Sequence, residues 1–186
     1  MADSFLTVDE LKNLGLKSFG QNVLISRKAS IYGAESINIG NHVRIDDFCI
    51  LSGKISIGSY VHISAYTALY GKSGIEINDF VTISGRVLVY SENDDYSGEF
   101  MMNPMVPSEF TNVHCAKVIF GKHSIIASGS IILQGVTLGE GACVGSMSLV
   151  KSDIEPWMIY AGVPAKQIKV RSQHILELEK QLLIQL

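Results

Sequence analysis

The segment Ser91-Glu92-Asn93-Asp94-Asp95-Tyr96-Ser97-Gly98-Glu99 concentrates carboxylates beside a tyrosine and two serines. Carboxylates so spaced can take up a proton during a reaction, or can simply keep a loop solvated. Five histidines are the other candidate proton carriers: His42, His62, His114, His123 and His174. A catalytic zinc needs three converging protein ligands, and His42 and His62 fall on different phases of the repeat described below, so no metal site is expected. Cys49, Cys115 and Cys143 are widely spaced and form neither a metal pattern nor an even disulfide set, as for thiols of a reducing cytoplasm.

The elements that must position these residues follow a period of six. Aliphatic or aromatic anchors run Ile25, Ile31, Ile37, then after a two-residue slip Ile39, Ile45, Leu51, Ile57, Ile63 and Leu69. A second slip through Gly71 and Gly74 leads to Ile77, Ile83 and Val89. After a long interruption the series resumes with Phe120, Ile126, Ile132, Leu138, Val144 and Val150. A period of six fits neither a helix nor a long strand. It fits a coil with three flat sides, one step per side, so these anchors predict an all-β solenoid of about six coils over 25–155. The residue four past an anchor tends to be small or β-branched, as at Val43, Cys49, Val61 and Thr67, and should fill a narrow interior. Gly40, Gly58, Gly121, Gly139 and Gly145 follow anchors, where a corner is expected to need their backbone freedom. On the same phasing His42 and His123 are expected to face outward, with His62 at a corner. All four prolines, Pro104, Pro107, Pro156 and Pro164, lie outside the anchored runs, as parallel ladders require.

The interruption amounts to an inserted loop of about 25 residues, 91–115. The register returns in phase, so the loop leaves one corner and comes back to it, with His114 at its return. Its Met101, Met102, Met105 and aromatic content argues for docking on a neighbouring subunit. Thr7 and Glu10 form a capping box, predicting a short helix over 7–14 with Gly15 as its stop, placed over the open first coil. From 171 to 186, Ile175, Leu178 and Leu182, flanked by Leu176 and Leu183, predict an amphipathic helix against the coil or a partner. The whole chain, 1–186, reads as one domain.

With 47% hydrophobic and 18% charged residues this is a core-rich composition rather than a disordered one. The net charge of −3 and the lack of a basic face argue against nucleic acid and anionic membrane as partners. Met1-Ala2-Asp3-Ser4-Phe5 lacks the features of a secretory signal, and no apolar run is long enough to span a bilayer, so a cytoplasmic protein is expected.

The ladder followed by Ala161-Gly162-Val163-Pro164-Ala165-Lys166 resembles the hexapeptide-repeat acyltransferases, over about Ile25 to Lys169. The resemblance implies a left-handed parallel β-helix. With the tyrosine-bearing acidic insertion, the chain looks closest to sugar acetyltransferases of surface-polysaccharide pathways, in particular N-acyltransferases of nucleotide-linked deoxyamino sugars. That family implies a homotrimer with active sites at subunit clefts, acetyl-CoA as co-substrate and no metal. Matched to galactoside acetyltransferases, the CoA contacts fall on Ser128, Ser146, Lys151, Lys166 and Lys169. Those enzymes carry a histidine at the start of the loop to deprotonate a sugar hydroxyl, and here Asp94 stands in its place. A neutral amine is the stronger nucleophile and a carboxylate suffices as its proton acceptor, so Asp94 and Glu92 are the expected bases and an amine the expected acceptor. Ser84, just before the loop, is a candidate substrate or oxyanion contact. O-acetylation using His62 or His114 is the main alternative, and a non-catalytic binding solenoid is another.

Overall fold

The computed structural model describes residues 4–185; Met1, Ala2, Asp3 and Leu186, and whatever was expected of them, lie outside it. Short parallel strands stack into a β-solenoid of about seven turns. Three columns of inward side chains make the core. One runs Phe19, Ile39, Ile57, Ile77, Phe120, Leu138 and Ile154, each in register with the next. A second runs Ile25, Ile45, Ile63, Ile83, Ile126, Val144 and Tyr160. The third runs Ile31, Leu51, Leu69, Val89, Ile132 and Val150. The two columns through Ile77 and Ile83 pass straight to Phe120 and Ile126, so the coil ignores the insertion between them.

Three expectations change. Ile37 is not an anchor of its own: strand Ile37–Ile39 buries both ends, and Ile37 stacks on Ile55 two positions ahead of the true anchor. Phe19 begins the ladder and Ile154 and Tyr160 extend it, which is why the turns exceed the six expected. The glycines after anchors serve close approach rather than backbone freedom. A Cβ on Gly121 would lie 2.7 Å from the Gly139 backbone of the next coil, and one on Gly40 would lie 2.7 Å from Gly58.

The left-handed corners fall instead three residues past the anchors, on Gly129, Gly135 and Gly141 in the later coils but elsewhere mostly on large side chains. Asn22, His42, Tyr60, Phe80, His123 and Trp157 all have φ between 52° and 60°. Each such non-glycine residue costs about 1–2 kcal/mol. Stacking offsets part of that cost. His42, Tyr60, Phe80 and His123 form a column with ring centroids 4.8, 4.8 and 5.0 Å apart, at about 0.5–1.5 kcal/mol per pair. His123 is therefore buried at 7% exposure, not outward-facing as its phase implied.

Both ends of the coil are covered. Helix α1, Val8–Asn13, has the Thr7–Glu10 capping box, and Gly15 follows with φ 78°. Glu10 also receives Arg27 at 2.8 Å, so the cap is tied to the first turn and its carboxyl is held down at about 2. At the other end strand Lys166–Val170 folds back antiparallel on Met158–Ala161, which delays helix α2 to Ile175–Ile184. α2 docks through a polar residue: Glu179 accepts from His123 at 2.7 Å and Lys122 at 2.5 Å. Leu178, Leu182 and Leu183 are left exposed rather than packed on their own coil. Among the described residues no helix is long and apolar enough to cross a membrane.

Candidate active site

The inserted loop is built on a two-stranded stem. Glu92–Asp94 pairs antiparallel with Val113–Cys115, in the register Asn93 to His114. The stem is anchored where it leaves the coil. Ser91, fully buried, donates to the Tyr70 carbonyl at 2.9 Å and accepts from the Ser73 N–H at 2.9 Å. Beneath the loop lies a cleft of about 720 Å³, with Tyr70, Lys72, Tyr90, Glu92, Asp94 and Tyr96 among its walls. Tyr70 and Tyr90 stack at 5.3 Å on its coil side.

The three loop carboxylates have different surroundings. Glu92 accepts from the Ser73 hydroxyl at 2.8 Å and pairs with the Lys72 ammonium at 3.3 Å. Asp95 turns into the loop. It receives the Ser97 N–H at 2.7 Å and the Asn112 amide at 2.8 Å, with His114 at 3.7 Å. These donors, Ser97 foremost, hold its carboxyl down at about 2. Asp94 lines the cleft with no hydrogen bond or ion pair to its side chain among the described residues. Two neighbours are thus committed to shaping the loop, and Asp94 is the carboxylate free to meet a ligand.

Because the folded pKa of Asp95 lies below the ordinary 3.8, its contribution to loop order is full above that value and is lost as pH falls through about 2. The Ser97 amide proton shift should titrate with a midpoint near 2 in NMR. A midpoint near 4 would contradict this anchoring.

The remaining expected site residues separate into two groups. Ser84 stands at the edge of the coil one residue before Gly85, which lines a shallow groove of about 400 Å³ with Ser64, Arg86 and Ser128. Ser128 and Ser146 are exposed on the same edge, linked by the bond from Met147 N–H to the Ser128 carbonyl. Lys151, Lys166 and Lys169 are exposed towards the C-terminal end. Ser84 does not line the loop cleft of its own chain. His62 is held by Asp46 at 2.8 Å, and Asp46 also binds Arg44 at 2.7 Å. His114 is exposed on the loop's return strand. Sequence reasoning missed Tyr70, Lys72 and Tyr90. The register slip through Gly71 and Gly74 was their signal, since it adds residues at the corner where the loop departs.

No family model matches the chain. A dTDP-4-amino-4,6-dideoxy-D-glucose acyltransferase of Escherichia coli is 51% identical over 179 residues, covering 95% of this chain and 93% of that protein. The chain belongs to the nucleotide-amino-sugar acyltransferases. It is an enzyme that transfers an acyl group from acyl-CoA to the amine of a nucleotide-linked sugar, on a hexapeptide-repeat scaffold. AntD, an N-acyltransferase from Bacillus cereus, is similar along its whole length. Its S84C variant, solved with dTDP-4-amino-4,6-dideoxyglucose and coenzyme A, is 53% identical, with 100% of both chains covered and a TM-score of 0.98. Its D94A variant, solved with dTDP and coenzyme A, is 54% identical, covers 99% of this chain and 100% of that one, and has a TM-score of 0.97.

Proposed function

We propose that this acyltransferase acts on the 4-amino group of dTDP-4-amino-4,6-dideoxyglucose, in the cytoplasm, as a homotrimer whose active sites lie between subunits. The observation that carries the reading is the unpartnered Asp94 carboxylate in the loop cleft. The full-length similarity to AntD, which was solved with that sugar nucleotide, supports the choice of acceptor. The AntD variants replace a serine and an aspartate numbered 84 and 94, as Ser84 and Asp94 are numbered here.

In this mechanism the sugar amine attacks the thioester carbonyl carbon and a C–N bond forms. The C–S bond then breaks and CoA leaves with the sulfur's electron pair. The proton lost from nitrogen goes to Asp94 and from there to the departing thiolate, which leaves as the CoA thiol and returns Asp94 to its carboxylate form. Ser84 offers its hydroxyl to the oxygen that becomes negative. Ser128, which lines the groove, and Ser146, exposed on the same edge, meet the pantetheine arm. Lys151, Lys166 and Lys169 meet the CoA phosphates. The trimer explains two features of the single chain. The Ser84 edge and the Asp94 cleft are separate concavities that a neighbour would bring together, and the leucines of α2 lack a cover.

The test is thiol release from acetyl-CoA against a panel of nucleotide-linked sugars that carry an amine or a hydroxyl at the same carbon. The amine should be preferred by at least about 100-fold. Equal turnover of the hydroxyl sugars would overturn the reading in favour of O-acylation.

A further inference from the structure

We infer that Lys72 is the cation that takes the diphosphate of the sugar nucleotide. The inference rests on the nucleotide-sugar reading above and names the group that recognises the charged part of that substrate. The cleft poses an electrostatic problem. Its walls include two carboxylates, Glu92 and Asp94, yet it must admit a diphosphate. Repulsion between like charges brought within a few ångströms opposes binding unless a cation intervenes. Among the described residues lining the cleft, Lys72 is the only cation.

Its placement is built into the coil. The strand Ala68–Ile77 carries extra residues between Gly71 and Ile75 relative to its neighbour Ile50–Ile57. The excess pushes Lys72 and Ser73 out at the corner from which the loop departs. Ser73 is then fixed twice, by Ser91 through its N–H and by Glu92 through its hydroxyl. Lys72 is therefore mounted on an ordered backbone while its side chain stays 82% exposed. Its ammonium lies 3.3 Å from Glu92, longer than the 2.7–2.9 Å of a tight charge-assisted bond. Glu92 keeps the Ser73 hydroxyl whether or not Lys72 stays with it. The ammonium can thus turn to phosphate oxygens without stranding a carboxylate. Lys151, Lys166 and Lys169 do not line this cleft.

The experiment is calorimetric titration of the intact protein with dTDP and with thymidine, for wild type, Lys72→Met and Lys72→Arg. Wild type should bind dTDP more tightly than thymidine. Lys72→Met should weaken dTDP binding about 10- to 100-fold, the worth of a charge-assisted bond, and leave thymidine unchanged. Lys72→Arg should restore most of the preference. Lys72 is exposed, so equal melting temperatures should show that all three proteins are folded. An undiminished dTDP-over-thymidine preference in Lys72→Met would overturn the inference while leaving the nucleotide-sugar reading intact. A wild type that does not bind dTDP at all would overturn both.

Discussion

Asp94→Asn should lower kcat by about 10²- to 10⁴-fold, the usual worth of a positioned proton acceptor. The substitution keeps the shape of the side chain and removes its ability to accept the amine proton. The KM values for acyl-CoA and sugar nucleotide should change by no more than about threefold, because an interaction made mainly in the transition state moves kcat and kcat/KM together. The surrounding carboxylates give the prediction its specificity. Glu92 already serves Ser73 and Lys72, and Asp95 already serves Ser97 and Asn112. Neither is placed to take over from Asp94. Steady-state kinetics with both substrates varied would check this, and a variant retaining more than about a tenth of wild-type kcat would remove Asp94 from the proton-transfer role.

The largest stability effect is expected at Phe120. Its side chain is completely buried, and it is the first anchor after the loop returns. It stacks on Ile77 from before the insertion and beneath Leu138 of the following coil, so it joins the two halves of the solenoid. Phe120→Ala should cost about 3–5 kcal/mol, from lost transfer energy and from a cavity that rigid coils above and below cannot close. Urea denaturation should show the midpoint falling. A loss below about 1 kcal/mol would mean that the coils collapse around the gap and that the core is softer than this close stacking implies.

Much of this fold was legible because its core repeats. An inward residue every six positions survives a long insertion, so Val89 and Phe120 could be placed in adjacent turns from spacing alone. The errors came where two physical demands share one pattern. Ile37 and Ile39 are both apolar because a strand buries alternate residues, and phase alone does not tell an anchor from the residue two before it. Glycine after an anchor suggested a turn, but the neighbouring coil approaches too closely for a Cβ. Many of the left-handed corners went to aromatic residues, whose compensation is a stack between coils that a linear sequence does not display.

His123 and the site residues follow the same logic. His123 reads as outward by phase, yet Phe80 beside it and Glu179 from α2 enclose it. The family resemblance put Asp94 and Glu92 ahead of Asp95, but residue type alone did not separate the three. Only their partners separate them, and those partners, Ser73 and Asn112, are distant in sequence. Lys72 belonged to a register slip that looked like a spacing irregularity, and its nearness to the loop appears only once the coil is wound.

The most direct test of the central claim is the chemistry of the product. The purified protein would be given acetyl-CoA and dTDP-4-amino-4,6-dideoxyglucose, and the sugar nucleotide examined by mass spectrometry before and after neutral hydroxylamine. The sugar nucleotide should gain a single acetyl group that hydroxylamine leaves in place, as for an amide at the 4-amino nitrogen. An acetyl group removed by hydroxylamine, as an ester would be, or no acetyl transfer at all, would contradict that claim.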